Sequence, residues 1–286
     1  MTENVFITFA LGLKQLKEHP VLFVPGILYY IVVFFFALVF NFMIRLDLTG
    51  NSGFSFNPVF SVSFIAAVLM LSSFTAAGSI GMSKEIVKNG KTTFRHLFSY
   101  GKKFGLRLAL ATVFITLLRS FVAFFWAPVL RLFNNSEYTA EYVIDTLKTD
   151  PSLLLPLIET LSAPVLIMVF ASAVYLLLVS FMFYFVSYII VIDDMKIFKS
   201  YRLSFKLLNR RPIRISAFVF LVTAVEMLAV FINALAAAVF SFINLPFFFS
   251  FSIYAVVSLF FTTAMYLWVT RFYMVLTGIE RVRTSL

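Results

Sequence analysis

Two ionisable residues stand inside long apolar runs, where a charge has chemical consequences: Arg119 and Glu226. Arg119 lies 14 residues beyond Gly105, and Glu226 lies 14 beyond Pro212. At the rise of a helix each is about 21 Å from the start of its run. A lone charge at that depth in a bilayer costs roughly 2.5–3.5 kcal/mol on insertion scales, and pairing or a wet cavity is the usual remedy. The opposite signs at equal depth lead us to expect an intramembrane ion pair between Arg119 and Glu226, either as a structural bridge or as part of a substrate or proton site.

The remaining chemistry-bearing residues point away from catalysis. His19 and His96 are the two histidines, and neither has Asp or Glu at metal-ligand spacing. Without Cys there is no thiolate ligand, thiol nucleophile or disulfide. The Ser and Thr residues have no nearby His or Lys base and no Gly-x-Ser-x-Gly elbow. Asp193-Asp194 could be read as paired carboxylates, but Asp194 as the N-cap of a following helix is more economical. Gly78 and Gly81 suit close helix packing better than phosphate binding. No catalytic residue, metal or cofactor is expected.

The elements that would position Arg119 and Glu226 follow from composition. Of 286 residues, 62% are hydrophobic, 13% are charged and 39 are Phe; the mean hydropathy is +0.99. That leaves too little polar surface for a soluble enzyme, a secreted disulfide scaffold or a disordered chain. A bilayer core of about 30 Å takes roughly 20 apolar helical residues, because every backbone N–H and C=O must be paired internally. Six runs qualify, near 21–44, 58–82, 104–129, 161–192, 213–242 and 246–274. The first is too long for a signal sequence and lacks a small-residue cleavage motif. The fold class expected is all-α: a polytopic membrane bundle of six transmembrane helices.

Charge sets the orientation. The N-terminus, the 83–107 and 193–214 connections and the C-terminal segment together hold 19 of the 23 Lys and Arg. The other connections hold Arg45, Arg131 and Lys148. Basic residues stay on the cytoplasmic side, so both termini are expected in the cytoplasm of a multi-pass plasma-membrane protein. The formal charge of +10 is then topogenic, and nucleic acid is not an expected partner.

Each outward span follows a short basic amphipathic stretch, at helical spacing. The apolar positions are Phe6, Phe9, Leu13 and Leu16 before span one. Before span three they are Phe94, Leu97, Phe98 and Gly101, and before span five Ile197, Tyr201, Phe205 and Leu208. Such helices lie at the interface with cations toward lipid headgroups, and Lys102, Lys103, Arg210 and Arg211 are the expected headgroup contacts. Anionic lipids are accordingly the expected partners. Offsets of 107 and 192 align the three lead-ins, which suggests one domain, 1–286, built from repeat units 1–82, 83–192 and 193–286. Chance alignment of hydrophobic hairpins is the alternative. Residues 130–160 form an outer insertion, with a helix expected over 137–147, a formal sequon at Asn134 and an acidic, solvated face. Trp126 and Trp268 suit interface anchors. Asn41, Asn233 and Asn244 could line a cavity, though interhelical hydrogen bonds are the more economical reading, and the Phe runs 34–36 and 247–249 suit lipid contact and packing.

The run from Tyr188 to Pro212, YIIVIDDMKIFKSYRLSFKLLNRRP, resembles a prokaryotic family of six-span proteins related to the membrane domain of glycerophosphodiester phosphodiesterases. Lys17-Glu18-His19-Pro20 before Pro25 is similar to that family's approach to span one. Gly81-Met82 followed by Asn89-Gly90-Lys91-Thr92-Thr93-Phe94 is similar to its second inner connection. The resemblance implies architecture and a bacterial or archaeal plasma membrane. It implies no reaction, because the family's activity belongs to a separate soluble barrel that has no counterpart in this sequence. The function expected is a non-enzymatic, lipid-interacting scaffold or accessory module. A small-molecule transporter or channel using Arg119 and Glu226 is the alternative.

Overall fold

The computed structural model describes residues 5–48, 58–134, 163–242 and 247–279. Every element among them is helical: α1 (Val5–Glu18), a 3-10 turn (Pro20–Phe23), α2 (Val24–Leu48), α3 (Pro58–Asn89), α4 (Phe94–Asn134), α5 (Ala163–Phe183), α6 (Val186–Ile192), α7 (Ile197–Arg210), α8 (Pro212–Phe242) and α9 (Phe247–Thr277). Five stretches are long and apolar enough to cross a membrane: Val62–Asn89, Phe94–Val122, Met168–Ile192, Pro212–Ala236 and Ser252–Thr277. A sixth is a bent pair, residues 6–18 followed by 20–36, which turns through 95°. The expected helix 137–147 lies outside the described residues, as does Asn244. So do the side chains of Asn41, Trp126 and Phe247–Phe249.

Proline decides which amphipathic lead-in becomes a separate helix. Pro20 opens the 3-10 turn after α1, and Pro212 starts α8 one residue after α7; in each case proline's missing N–H suits the first turn of the new helix. The second lead-in has Gly105 at the position matching Pro212 and does not break. Residues 94–103 run straight into span three, so α4 is one helix of 41 residues. At about 60 Å it is twice the thickness of a bilayer core. The expected separate helix before span three is therefore corrected to an extension of the span. Span four departs the other way. It breaks at Tyr184 into α5 and α6 with neither Gly nor Pro at the break.

The chain forms two compact units, Met1–Thr112 with Phe185–Leu286, and Val113–Tyr184. In the first, the core gathers at the ends of the spans that carry the basic connections. Ala77, Ile80 and Met82 of α3, Leu97, Phe104 and Leu108 of α4, all of α6 except Ser187, and Leu267 through Met274 of α9 are buried. Phe218 of α8 stacks on Phe272 of α9 at 3.8 Å between ring centres. Farther along the same spans, Ile31, Phe35, Ile65, Phe220, Phe231 and Val256 are exposed, as suits side chains whose solvent is acyl chain rather than water.

Glycine permits the closest helix contact. Gly78 sits under Leu97 and Gly81 under the Tyr100 ring, while Gly101 of α4 in turn receives Phe74 of α3. Helix α9 ends on Gly278, whose φ is +75°; Gly278 N–H donates to Val275 O and Ile279 N–H to Met274 O, the Schellman pattern that satisfies terminal carbonyls. Trp268 is corrected from an interface anchor to a core residue. It is buried, covers Gly12 of α1 and donates its indole N–H to Phe9 O at 3.1 Å, which clamps α1 onto α9.

Candidate functional site

Three polar regions emerge. The first is the Asp193-Asp194 turn between α6 and α7. Tyr273 of α9 donates its hydroxyl to Asp193 Oδ2 at 2.5 Å. Lys84 of α3 donates its ammonium to the adjacent Ile192 carbonyl at 2.8 Å. Asp194 accepts from Lys103 and Arg107 of α4, both at 2.7 Å. Asp194 is not the N-cap of α7: Lys196 precedes that helix in an extended conformation without a capping hydrogen bond. The carboxylate is instead drawn toward α4, and the residue takes a left-handed φ of 52°, which Asp tolerates better than most side chains. These bonds tie the turn to α3, α4 and α9.

Hydrogen bonds from Lys103 and then Arg107 hold the Asp194 carboxyl below its ordinary pKa. A lowered folded value means that the contribution to stability is present above about pH 4 and is lost as pH falls through the lowered value. The pairs are about half exposed, so the gain is small. Asp194→Asn is expected to lower the neutral midpoint slightly and to flatten the acid limb of a detergent unfolding curve below about pH 4. An unaltered acid limb would remove this role.

The second region is the surface of α7. Its inward face is small and polar: Ser200, Tyr201 and Ser204 are buried, and Tyr201 donates to Ala111 O of α4 at 2.9 Å. Burial pushes the Tyr201 phenol up to about 12. The outward face carries Phe198, 78% exposed, and Phe205, 43% exposed, together with Lys199, Arg202 and Lys206, all exposed. The expected apolar stripe thus divides: Tyr201 turns inward and Phe205 outward. Of the four expected headgroup contacts, Lys102 is exposed on α4, whereas Lys103 is engaged by Asp194. Arg210 and Arg211 are exposed and line an open cavity of about 510 Å³ with Asp193, Leu207 and Thr277. His96 sits at the start of α4, where its Nδ1 accepts from the Thr93 N–H at 3.3 Å, a boundary role.

The third region surrounds Glu226. In the first unit an open cavity of about 610 Å³ is lined by Glu226 and Asn233 of α8, Tyr254, Ser258 and Tyr266 of α9, and Tyr188 of α6. Asn233 donates to Ser258 Oγ at 3.2 Å, the interhelical bond its position suggests. Arg119 belongs to the second unit, where it donates to Ser180 Oγ at 3.1 Å and Tyr175 donates to Leu118 O at 2.9 Å. The sequence singled out Glu226 by depth alone. It had no signal for the tyrosines that line the cavity, since Tyr in an apolar run looks like any other aromatic.

No curated protein and no solved structure matches the chain. A family model described as a domain of unknown function, DUF7847, matches residues 4–276. The match carries no activity and makes no connection to the phosphodiesterase membrane domain. With nearly its whole length covered, the chain belongs to the DUF7847 family.

Proposed function

We propose that this is a non-enzymatic integral protein of a prokaryotic plasma membrane, with both termini cytoplasmic, acting as a lipid-interacting scaffold or accessory module. The kinship with phosphodiesterase membrane domains belongs to the same reading, as a likeness of architecture. One observation carries it: the outward face of α7 presents Phe198 and Phe205 among Lys199, Arg202 and Lys206. Exposed aromatic rings beside cations, on a helix whose opposite face is packed, are the features of a helix lying in the headgroup layer. Each such cation contributes roughly 1 kcal/mol at an anionic surface, or about fivefold in affinity. Lys102, Arg210 and Arg211 extend the basic surface.

Native mass spectrometry of detergent-extracted protein tests this reading. Retention of phosphatidylglycerol over phosphatidylcholine is expected, and the triple change Lys199→Gln, Arg202→Gln, Lys206→Gln should remove most of that preference. Equal retention of the two lipids by the unaltered protein refutes it. The Glu226 cavity favours a second reading, a small-molecule transporter or channel.

A further inference from the structure

We infer that the cavity between α8 and α9 binds a primary ammonium group, with the Glu226 carboxylate as its counter-ion. The inference is independent of the lipid reading of α7, because it rests on residues at membrane depth in other helices.

The polar groups that line the cavity are sorted by what they still lack. Asn233 spends its amide N–H on Ser258, and its Oδ1 is buried with no hydrogen-bond partner among the described residues. A buried amide oxygen left unpaired is unfavourable, so a donor that reaches it is favoured. Ser258 is also hydrogen-bonded to Tyr30 of α2, which occupies the serine further. Among the described residues of its own unit Glu226 has no ion-pair partner. Besides acceptors and one negative charge the cavity carries the hydroxyls of Tyr188, Tyr254, Thr262 and Tyr266; what it lacks among the described residues is a cation.

Size and lining narrow the ligand. About 610 Å³ is in the range of organic-ligand pockets and far larger than a bare metal ion needs. Calcium and magnesium take six or more oxygen ligands, usually from several carboxylates, and among the described residues Glu226 is the only acidic one lining the cavity. The rings of Tyr254, Phe261 and Tyr266 add polarisable walls, and aromatic faces attract organic cations. A primary ammonium offers three N–H donors for the Glu226 carboxylate and neighbouring hydroxyl oxygens of the lining. It has two sources: the ethanolamine headgroup of a phospholipid entering from the side, or a free amine arriving from water.

The test uses the full chain in a non-ionic detergent, with thermal unfolding as readout. The probes are phenethylamine, its uncharged counterpart 2-phenylethanol, and short-chain phosphatidylethanolamine and phosphatidylcholine. Stabilisation by phenethylamine but not by the alcohol is expected if the source is a free amine. Stabilisation by the ethanolamine lipid but not the choline lipid identifies the headgroup source. In either case Glu226→Gln should weaken the half-saturating concentration at least tenfold, and Glu226→Asp should retain part of the response. Asn233→Leu, which keeps the carboxylate, should also weaken it. The inference is overturned if neither amine stabilises the protein, if the alcohol does so equally, or if Glu226→Gln responds like the unaltered chain. The amine-free midpoint of Glu226→Gln shows directly that this variant is folded.

Discussion

Leucine at position 78 is expected to unfold the protein, and alanine there to lower its thermal midpoint in detergent clearly. A Cβ added at Gly78 would overlap the Leu97 side chain and stand 3.0 Å from the Leu97 carbonyl oxygen and 3.3 Å from its Cα. Rotation of the Leu97 side chain relieves only the first of these contacts; the α4 backbone has to translate to relieve the others. Overfilling of packed interfaces costs about 1–3 kcal/mol for small increments, and four carbons exceed that. The contact is also reciprocal, because a Cβ added at Gly101 of α4 would stand 2.7–2.8 Å from three Phe74 ring atoms, so a shift that relieves one glycine crowds the other. Gly90 supplies the control. Its φ is +70° with nothing within 4 Å of an added Cβ, so Gly90→Ala loses only the backbone preference, about 1–2 kcal/mol. Thermal unfolding of the three variants by intrinsic fluorescence should rank Gly78→Leu as most damaging, then Gly78→Ala, then Gly90→Ala. If Gly78→Ala proves harmless, α3 and α4 are not held together by this contact.

The glycine contact was legible in the sequence because its signal is local: small residues spaced three apart in an apolar run have few other uses. The spans were legible for the same reason, since a bilayer imposes length and apolarity on each one separately. What escaped was whatever depended on a neighbour. The lead-in to span three was expected to break like the other two, yet Gly105 lacks the ring that makes Pro20 and Pro212 end a helix. The break at Tyr184 has no proline or glycine to announce it. Trp268 had the position of an interface anchor, and only the presence of Gly12 on α1 turns it into a clamp. Asp194 had the sequence of an N-cap, but Lys103 and Arg107 lie some 90 residues away in the chain and outweigh one backbone N–H. Glu226 stood out by its charge; the cavity around it became visible only when α9 was laid against α8.

Asp193→Ala is expected to cost more than Asp194→Ala, although Asp194 makes two ion pairs and Asp193 none. Exposure separates them. The Lys103 and Arg107 pairs with Asp194 are about half exposed, where such pairs contribute roughly 0.2–1 kcal/mol each. Tyr273 is fully buried, and its hydroxyl donates to Asp193 at 2.5 Å. A hydrogen bond to a charged acceptor contributes about 1.5–3 kcal/mol, and a buried hydroxyl left unpaired adds a desolvation penalty. The phenol cannot turn away to water, because its ring is held beside Phe185 at 5.9 Å between centres. Asp193→Ala therefore strands the donor, whereas Tyr273→Phe removes the donor and leaves a carboxylate that borders the open cavity near Arg210 and Arg211. A double-mutant cycle in detergent should give Tyr273→Phe the smaller loss, and the double variant should lose less than the two singles added together. A coupling of about 1–2 kcal/mol is expected for groups in direct contact, and Asp193→Asn, which keeps an acceptor, should retain part of it. Strict additivity would mean that the turn is held by the Lys84 bond to the Ile192 carbonyl, and Lys84→Met would then carry the loss instead.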